Sequence, residues 1–376
     1  MKRCKGCAKE YIGHDSVPQE GGHVNLEDLG YSDWYRDSLR KSPMAEPQVA
    51  RVLAVDRDRY RIGGEFGSIP AELSGKLAYC AETIEDMPCV GDWVFVDYYD
   101  DNSHAIVHGI LPRKTILRRR SSGARVDFQL IAANIDVAFI VQSCDVDYNL
   151  NRLDRYIVMT KDGGIDSILL LTKSDLVDVL KLESMIAEVR REHSIPVIPL
   201  SSTSGAGYDR FKQRLEKGKT YCLIGSSGVG KSTILNKLLG RQEFATNTVR
   251  EKSAKGRHTT TRRQLVILDN GALFVDTPGM RELGMIGFGL AIDESYEDIA
   301  MIAERCRFPD CTHTTEKDCA VLLSVAEGEL TSERLQSYLK LMKESKYYEM
   351  TYMEKRNKDK AFGKMVKNYT KSKQKR

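Results

Sequence analysis

Apolar positions along the chain fall into three successive patterns. Between residues 48 and 111 they come as short alternating runs at 49–55, 59–62, 66–70, 91–97 and 104–111, separated by polar turns. Alternation with a period of two predicts half-buried strands, and five in so short a span predict a small OB-fold-like β-barrel. From residue 129 the pattern changes. Continuous apolar runs at 135–141, 166–171, 195–200 and 221–224 alternate with stretches of helical period at 152–159 and 177–193. Strands alternating with helices predict a parallel sheet with ligands at the strand C-terminal ends. Two further strands, 264–268 and 272–275, flank the turn Asp269-Asn270-Gly271, and helical patterns return at 293–305 and 332–346.

These patterns predict a multidomain α/β protein. Its parts are an extension (1–44), an OB-fold barrel (45–118), a P-loop nucleotide domain (119–287), a helical domain (288–350) and a tail (351–376). Residues 1–44 read as irregular, and Arg118-Arg119-Arg120 with Ser121-Ser122-Gly123 reads as a linker. Trp93 is expected in a core rather than as a base-stacking platform. Such barrels often bind nucleic acid, but this segment alone equally fits a generic β-domain.

Composition narrows the class. The chain has 376 residues, 41% hydrophobic and 29% charged, as in ordinary soluble proteins. No apolar run is long enough to span a bilayer, and the start Met1-Lys2-Arg3-Cys4 lacks a signal-peptide core. A cytoplasmic, monomeric protein without a membrane partner is expected, in which nine cysteines serve as thiols or metal ligands rather than disulfides. Net charge is only +4, but from 355 to 376 Asp359 is the one acid. This basic tail, with Phe362 and Tyr369 interleaved, reads as an RNA-contacting arm or a solvated end. Cys4 and Cys7, with His14 and His23, fit no common zinc spacing. Gln19-Glu20-Gly21-Gly22 can be encoded by a ribosome-binding run ahead of Val24, a possible GUG start. Residues 1–23 are therefore expected to be untranslated upstream sequence, a point that mass spectrometry of the native N-terminus decides.

The chemistry centres on Gly225-Ser226-Ser227-Gly228-Val229-Gly230-Lys231-Ser232-Thr233, set between an apolar strand and a helical stretch. That context defines a phosphate-binding P-loop: glycines let backbone N–H groups turn toward phosphate oxygens, and the helix N-terminus adds positive potential. Lys231 is expected to reach the β and γ phosphates as a catalytic charge, and Ser232 to hold Mg²⁺. Thr172-Lys173-Ser174-Asp175 ends an earlier strand and matches the base-recognition element of GTPases. The Asp175 carboxylate can accept two hydrogen bonds from guanine, and adenine offers no such donor pair. Ser201-Ser202-Thr203, one strand later, is expected to close over the base. In the stretch Lys255-Gly256-Arg257-His258-Thr259-Thr260-Thr261, Thr260 is a candidate Mg²⁺ ligand. In Asp276-Thr277-Pro278-Gly279, Asp276 is placed on Mg²⁺ through water and the Gly279 N–H at the γ-phosphate.

Two departures from a Ras-like GTPase stand out. Both base-recognition loops precede the P-loop, so the set is complete but circularly permuted. The second switch therefore runs directly into the C-terminal helices. Met280 also stands where Ras-like enzymes carry a water-orienting glutamine. A thioether cannot orient water, which makes His258 the internal candidate for that catalytic role. Downstream, Cys306, Cys311, His313 and Cys319 supply four soft ligands within fourteen residues, a set suited to one closed, structural Zn²⁺.

In combination these features resemble the ribosome small-subunit-dependent GTPase family (the RsgA, or YjeQ/YloQ, type) over roughly residues 24–345. The runs 129–136 and Asn151-Arg152-Leu153-Asp154-Arg155-Tyr156 also carry the resemblance. It implies an N-terminal OB-fold, a permuted GTPase and a zinc-containing helical domain. It further implies binding to the immature small (30S) subunit and its 16S rRNA, GTP hydrolysis to GDP stimulated by that subunit, release late in assembly, and His258 as the catalytic switch residue. The rival readings are a P-loop ATPase or small-molecule kinase, against which Asp175 argues, and a nucleotide-gated RNA-binding scaffold with weak hydrolysis.

Overall fold

A computed structural model describes residues 24–40, 48–56, 59–120, 128–145, 147–241, 263–276 and 289–349. The expectations for residues 1–23, His258, Thr260, Gly279, Met280 and the basic tail lie outside these. Where an irregular extension was expected, residues 26–29 form a single helical turn and Asp33–Arg40 form helix α1. Leu29, Tyr31 and Tyr35 from this segment are buried, and Tyr31 meets the fully buried Trp93 edge-on at 4.8 Å between ring centroids. The short polar-rich pattern hid a segment that folds only because it has an aromatic core to lie on.

Strands β1 (Gln48–Asp56), β2 (Arg59–Gly64) and β3 (Gly67–Leu73) are followed by the short helix α2 (Gly75–Cys80), then β4 (Trp93–Tyr99) and β5 (His104–Ile110). They pair in the order β1-β2-β3-β5-β4, and β4 pairs back onto β1. The β3–β5 pairing is parallel and the other four are antiparallel. The result is a closed five-stranded barrel in which no strand is left as a free edge. Alternating residues such as Ala50, Val52, Ile62, Ile69, Val94 and Val107 fill its interior.

Of the polar run read as a linker, Arg118, Arg119 and Arg120 instead belong to a strand. Ile116–Arg120 (β6) pairs antiparallel with Phe128–Ala133 (β7). Leu117 is buried, while Arg118 reaches Asp162 and Glu85. Paired charge makes a sequence that looks solvated compatible with a sheet.

The nucleotide domain continues with β8 (Val137–Ser143), α3 (Leu150–Asp162), β9 (Asp166–Thr172), α4 (Val179–Glu192), β10 (Val197–Pro199), α5 (Tyr208–Lys212), β11 (Thr220–Gly225), α6 (Lys231–Leu239), β12 (Arg263–Ile267) and β13 (Leu273–Asp276). The spatial order is β10-β9-β8-β11-β13-β12, parallel except for the hairpin β12–β13. From β8 the chain winds outward to one edge, then returns to β11 and winds to the other. The order reverses between β8 and β11, and at such a switch point a crevice opens at the strand C-terminal ends. A stack of Phe139, Tyr221 and Phe274, with centroids 5.4 and 5.5 Å apart, crosses β8, β11 and β13 and supports this centre.

Two joints bind the parts together. The end of β1 pairs antiparallel with β12, Ala54 opposite Gln264 and Val55 opposite Arg263, so barrel and nucleotide domain share one 11-stranded sheet. The helices α7 (Gly289–Ser295), α8 (Glu297–Ala303), α9 (Ala320–Glu327) and α10 (Ser332–Glu349) form their own core, which takes in Val158 of α3. The helical pattern read at 293–305 is interrupted at Tyr296, which is fully buried and separates α7 from α8.

Candidate nucleotide site and metal cluster

β11 ends at Gly225, whose backbone runs so close to β8 that a Cβ would collide with the Val141 carbonyl oxygen. Gly230, at φ +101°, turns the chain into α6 in a conformation that L side chains rarely adopt. Between them, Ser227 and Gly228 are exposed, Ser226 and Gly230 are half-buried, and Val229 packs inward. The Lys231 ammonium folds back over the loop and donates to the carbonyls of Gly225, at 2.8 Å, and Ser226. Ser232 and Thr233 occupy the first turn of α6, and Asp276 closes β13, the strand beside β11. The sheet thus carries Lys231, Ser232 and Asp276 to the ends of neighbouring strands, although 44 residues separate Ser232 from Asp276.

The base-recognition segment is tied to this loop directly. The Thr172 hydroxyl, 3% exposed, donates to the Val229 carbonyl at 2.6 Å. A hydroxyl donor at this position therefore does what locking the two loops together requires. Lys173 takes a left-handed conformation, φ 55°, and its ammonium pairs with Asp145 at 2.7 Å. Burial acts to raise the Asp145 carboxyl, but Lys173 and the Ser143 hydroxyl outweigh it and hold it down to about 2. Ser174 N–H donates to the Leu200 carbonyl, bringing the loop after β10 alongside. Asp175 is held below its ordinary value by hydrogen bonds from the Ser201 hydroxyl first, then its own backbone N–H, with a smaller contribution from Thr203. Ser202 bonds Tyr208, and its carbonyl accepts from Lys237 of α6 at 3.2 Å. Residues 172–175, 201–203 and 225–233 thus converge on one crevice.

Two parts of this constellation have no counterpart in the sequence reading. Asp145 is one. The other is the start of α3, where the Arg152 guanidinium donates to Asp147 at 2.8 Å and to the Ser226 hydroxyl at 2.5 Å. The run Asn151–Tyr156 supported the family resemblance without a stated role, and the structure divides it between two tasks. Arg152 turns to the P-loop. Asp154 turns the other way and pairs with His193 at 2.8 Å, with Arg334 at 3.6 Å and with the Ser337 hydroxyl. Arg155 pairs with Glu344.

The second site is the cluster of Cys306, Cys311, His313 and Cys319, whose ligand atoms all lie within 4.8 Å of one another. Sulfurs about 2.3 Å from a tetrahedral zinc stand about 3.8 Å apart, and a sulfur–imidazole pair about 3.5 Å. The Cys306–Cys319, Cys306–His313 and His313–Cys319 separations are 3.8, 3.6 and 3.4 Å. Burial holds the His313 imidazole below its ordinary value, which favours the neutral, ligating form. Burial pushes the Cys306 thiol up, yet hydrogen bonds from the backbone of Val321 and Ala320, at the start of α9, bring it below its ordinary value. Glu316 accepts from the N–H groups of Thr312, Thr314 and Thr315 and braces the turn that presents His313. The donor set and its spacing fit zinc. Among the described residues, no helix is long and apolar enough to cross a membrane.

Sheet order, loop set and cluster define a circularly permuted P-loop GTPase carrying a five-stranded barrel and a Cys₃His helical domain. Residues 110–286 match the family profile described as RsgA GTPase, and 220–355 match one described as 50S ribosome-binding GTPase. The chain is 42% identical over 300 residues to the small ribosomal subunit biogenesis GTPase RsgA 2 of Lactiplantibacillus plantarum, covering 80% of this chain and 84% of that one. It is 37% identical over 356 residues to RsgA 1 of Bacteroides thetaiotaomicron, covering 93% and 98%. The crystal structure of YjeQ from Thermotoga maritima superposes with a TM-score of 0.58 at 25% identity, over 79% of this chain and 98% of that one. The chain belongs to the RsgA family of GTPases and is a GTP hydrolase.

Proposed function

We propose that this GTPase acts in maturation of the small ribosomal subunit, binding its 16S rRNA and dissociating on hydrolysis. The observation that carries the nucleotide half is the bond from Thr172 to Val229, which locks the base-recognition loop to the phosphate loop in one crevice. The subunit half rests on relatives named for small ribosomal subunit biogenesis.

Asp175 selects guanine, and Lys173 lies along the base, held by Asp145. Ser201 and Ser202 close the base side, while residues 225–233 cradle the phosphates. Ser232 and Thr260 would hold Mg²⁺ directly and Asp276 through water; the ion neutralises phosphate charge. Gly279 would meet the γ-phosphate, and His258 would orient the attacking water where Met280 cannot. Cys306, Cys311, His313 and Cys319 would hold one zinc, which fixes the loop between α8 and α9. The barrel and this loop grip rRNA from either side, and the protein works as a cytoplasmic monomer.

The test is GTP turnover with small subunits, with large subunits and with neither, using ATP as control. Stimulation by small subunits alone is expected. GTP binding without stimulation by either subunit would overturn the assembly role and leave a nucleotide-gated RNA-binding scaffold.

A further inference from the structure

Ser226, the second residue of the phosphate loop, lies between two cations. Its carbonyl accepts from the Lys231 ammonium and its hydroxyl accepts from the Arg152 guanidinium at 2.5 Å. Arg152 comes from a rigid element. The α3 N-terminus is capped by the Asn149 side chain, which accepts from the Arg152 N–H, and Asn149 is clamped to β8 by a two-way bond with Gln142. Through Nη1 alone Arg152 contacts Ser226 and Asp147; among the described residues Nε and Nη2 make no hydrogen bond. The side chain is 36% exposed, and the two loop residues that follow Ser226, Ser227 and Gly228, are exposed as well. A guanidinium is thus anchored at the edge of the loop with donors to spare, in a chain with Met280 in place of a water-orienting glutamine.

We propose that Arg152 is an internal arginine of the hydrolytic site, contacting the terminal phosphate of GTP. The water oxygen forms a bond to the γ-phosphorus while the bond from that phosphorus to the β–γ bridging oxygen breaks. The electron pair stays on the GDP β-phosphate, and the water protons pass to the released phosphate and to solvent. Negative charge moves onto the bridging and terminal oxygens, where a bidentate, permanently charged donor acts most strongly. Asp147 holds one edge of the guanidinium and leaves the other free for this.

The inference rests on the reading of residues 225–233 as the phosphate site, and the experiment separates the two. Single-turnover GTP hydrolysis, affinity for a fluorescent GDP and capture of GDP with aluminium fluoride are measured for wild type, Arg152→Ala, Arg152→Lys and Lys231→Ala, with and without small subunits. Arg152→Ala is expected to hydrolyse on the order of 10²–10³-fold more slowly, keep its GDP affinity and lose aluminium fluoride capture. Free guanidinium ion is expected to restore part of the rate in Arg152→Ala and none in Lys231→Ala. Wild-type turnover by Arg152→Ala overturns the proposal. Joint loss of GDP affinity and thermal stability in both Arg152 variants, without guanidinium rescue, also overturns it and makes the residue a structural prop of the loop. If Lys231→Ala leaves nucleotide affinity and turnover unchanged, it is the phosphate-site reading itself that fails.

Discussion

Helix α3 serves two charged constellations two residues apart, and they are built on opposite terms. At the nucleotide crevice, Lys173–Asp145 and Arg152–Asp147 keep about a quarter to a third of each side chain exposed. Each charge has one oppositely charged partner and keeps part of its surface open. At the joint with the C-terminal helices, Asp154, His193 and Arg334 are each 3% exposed. There Asp154 faces both His193 and Arg334 and accepts from the Ser337 hydroxyl, while Arg334 donates to the Ser295 carbonyl and to Asp298 and stacks on Tyr296 at 4.0 Å. A half-solvated pair contributes little to stability and leaves its charge for recognition. A buried set costs several kcal/mol to desolvate and tolerates no missing member. The first is open and the second is a weld, and α3 carries residues of both.

Metal removal should separate them most widely. Chelation or Cys306→Ser is expected to take zinc content from one equivalent to none, with loss of a binding free energy on the order of 10 kcal/mol. Near-ultraviolet signals from Tyr296 and Tyr338 should change while guanine-nucleotide affinity holds. Unchanged spectra would detach the cluster from the joint. At the crevice, Asp175→Asn should lower GTP affinity on the order of 10⁴-fold and restore binding of xanthosine triphosphate, whose 2-carbonyl can accept from the amide. An equal loss for both nucleotides in competition titrations would break the base-recognition assignment. At the weld, Asp154→Ala is expected to cost about 3–5 kcal/mol in urea unfolding, because Arg334 and His193 are left buried without their carboxylate. A change under about 1 kcal/mol, as for a surface pair, would erase the contrast.

Thr172→Val keeps the shape and removes the hydroxyl, leaving the Val229 carbonyl without its donor. About 1–3 kcal/mol of stability or nucleotide affinity should be lost, with isothermal titration as the check. The smallest effect is pH-dependent. A carboxyl held below its ordinary value keeps its charged-state contribution as pH falls, and loses it only on passing the lowered value. For Asp175 the Ser201 hydroxyl is the leading cause. Ser201→Ala should therefore leave neutral-pH affinity nearly intact and raise the pH at which GTP binding fails, toward the ordinary carboxylate range. An acid limb identical to wild type would remove Ser201 from that role.

The local sequence determined what backbone chemistry dictates. The glycine spacing at 225–230, the alternation in the barrel strands and the ligand spacing from Cys306 to Cys319 each lie within a short stretch, and the order of the motifs is read directly along the chain, so none of them requires knowing the spatial neighbours. Other features could not be read that way. Arg118–Arg120 looked like a linker because the partner strand and Asp162 were out of view. The segment from 26 to 40 looked irregular because its aromatics pack on Trp93, more than fifty residues away. Asp154 and Arg152 sit in one short run of mixed charge, and nothing in that run says which is buried. The division between them was decided by tertiary structure, because helical geometry turns residues two apart toward different neighbours. One of those neighbours is the P-loop and the other is a helix 180 residues further along the chain.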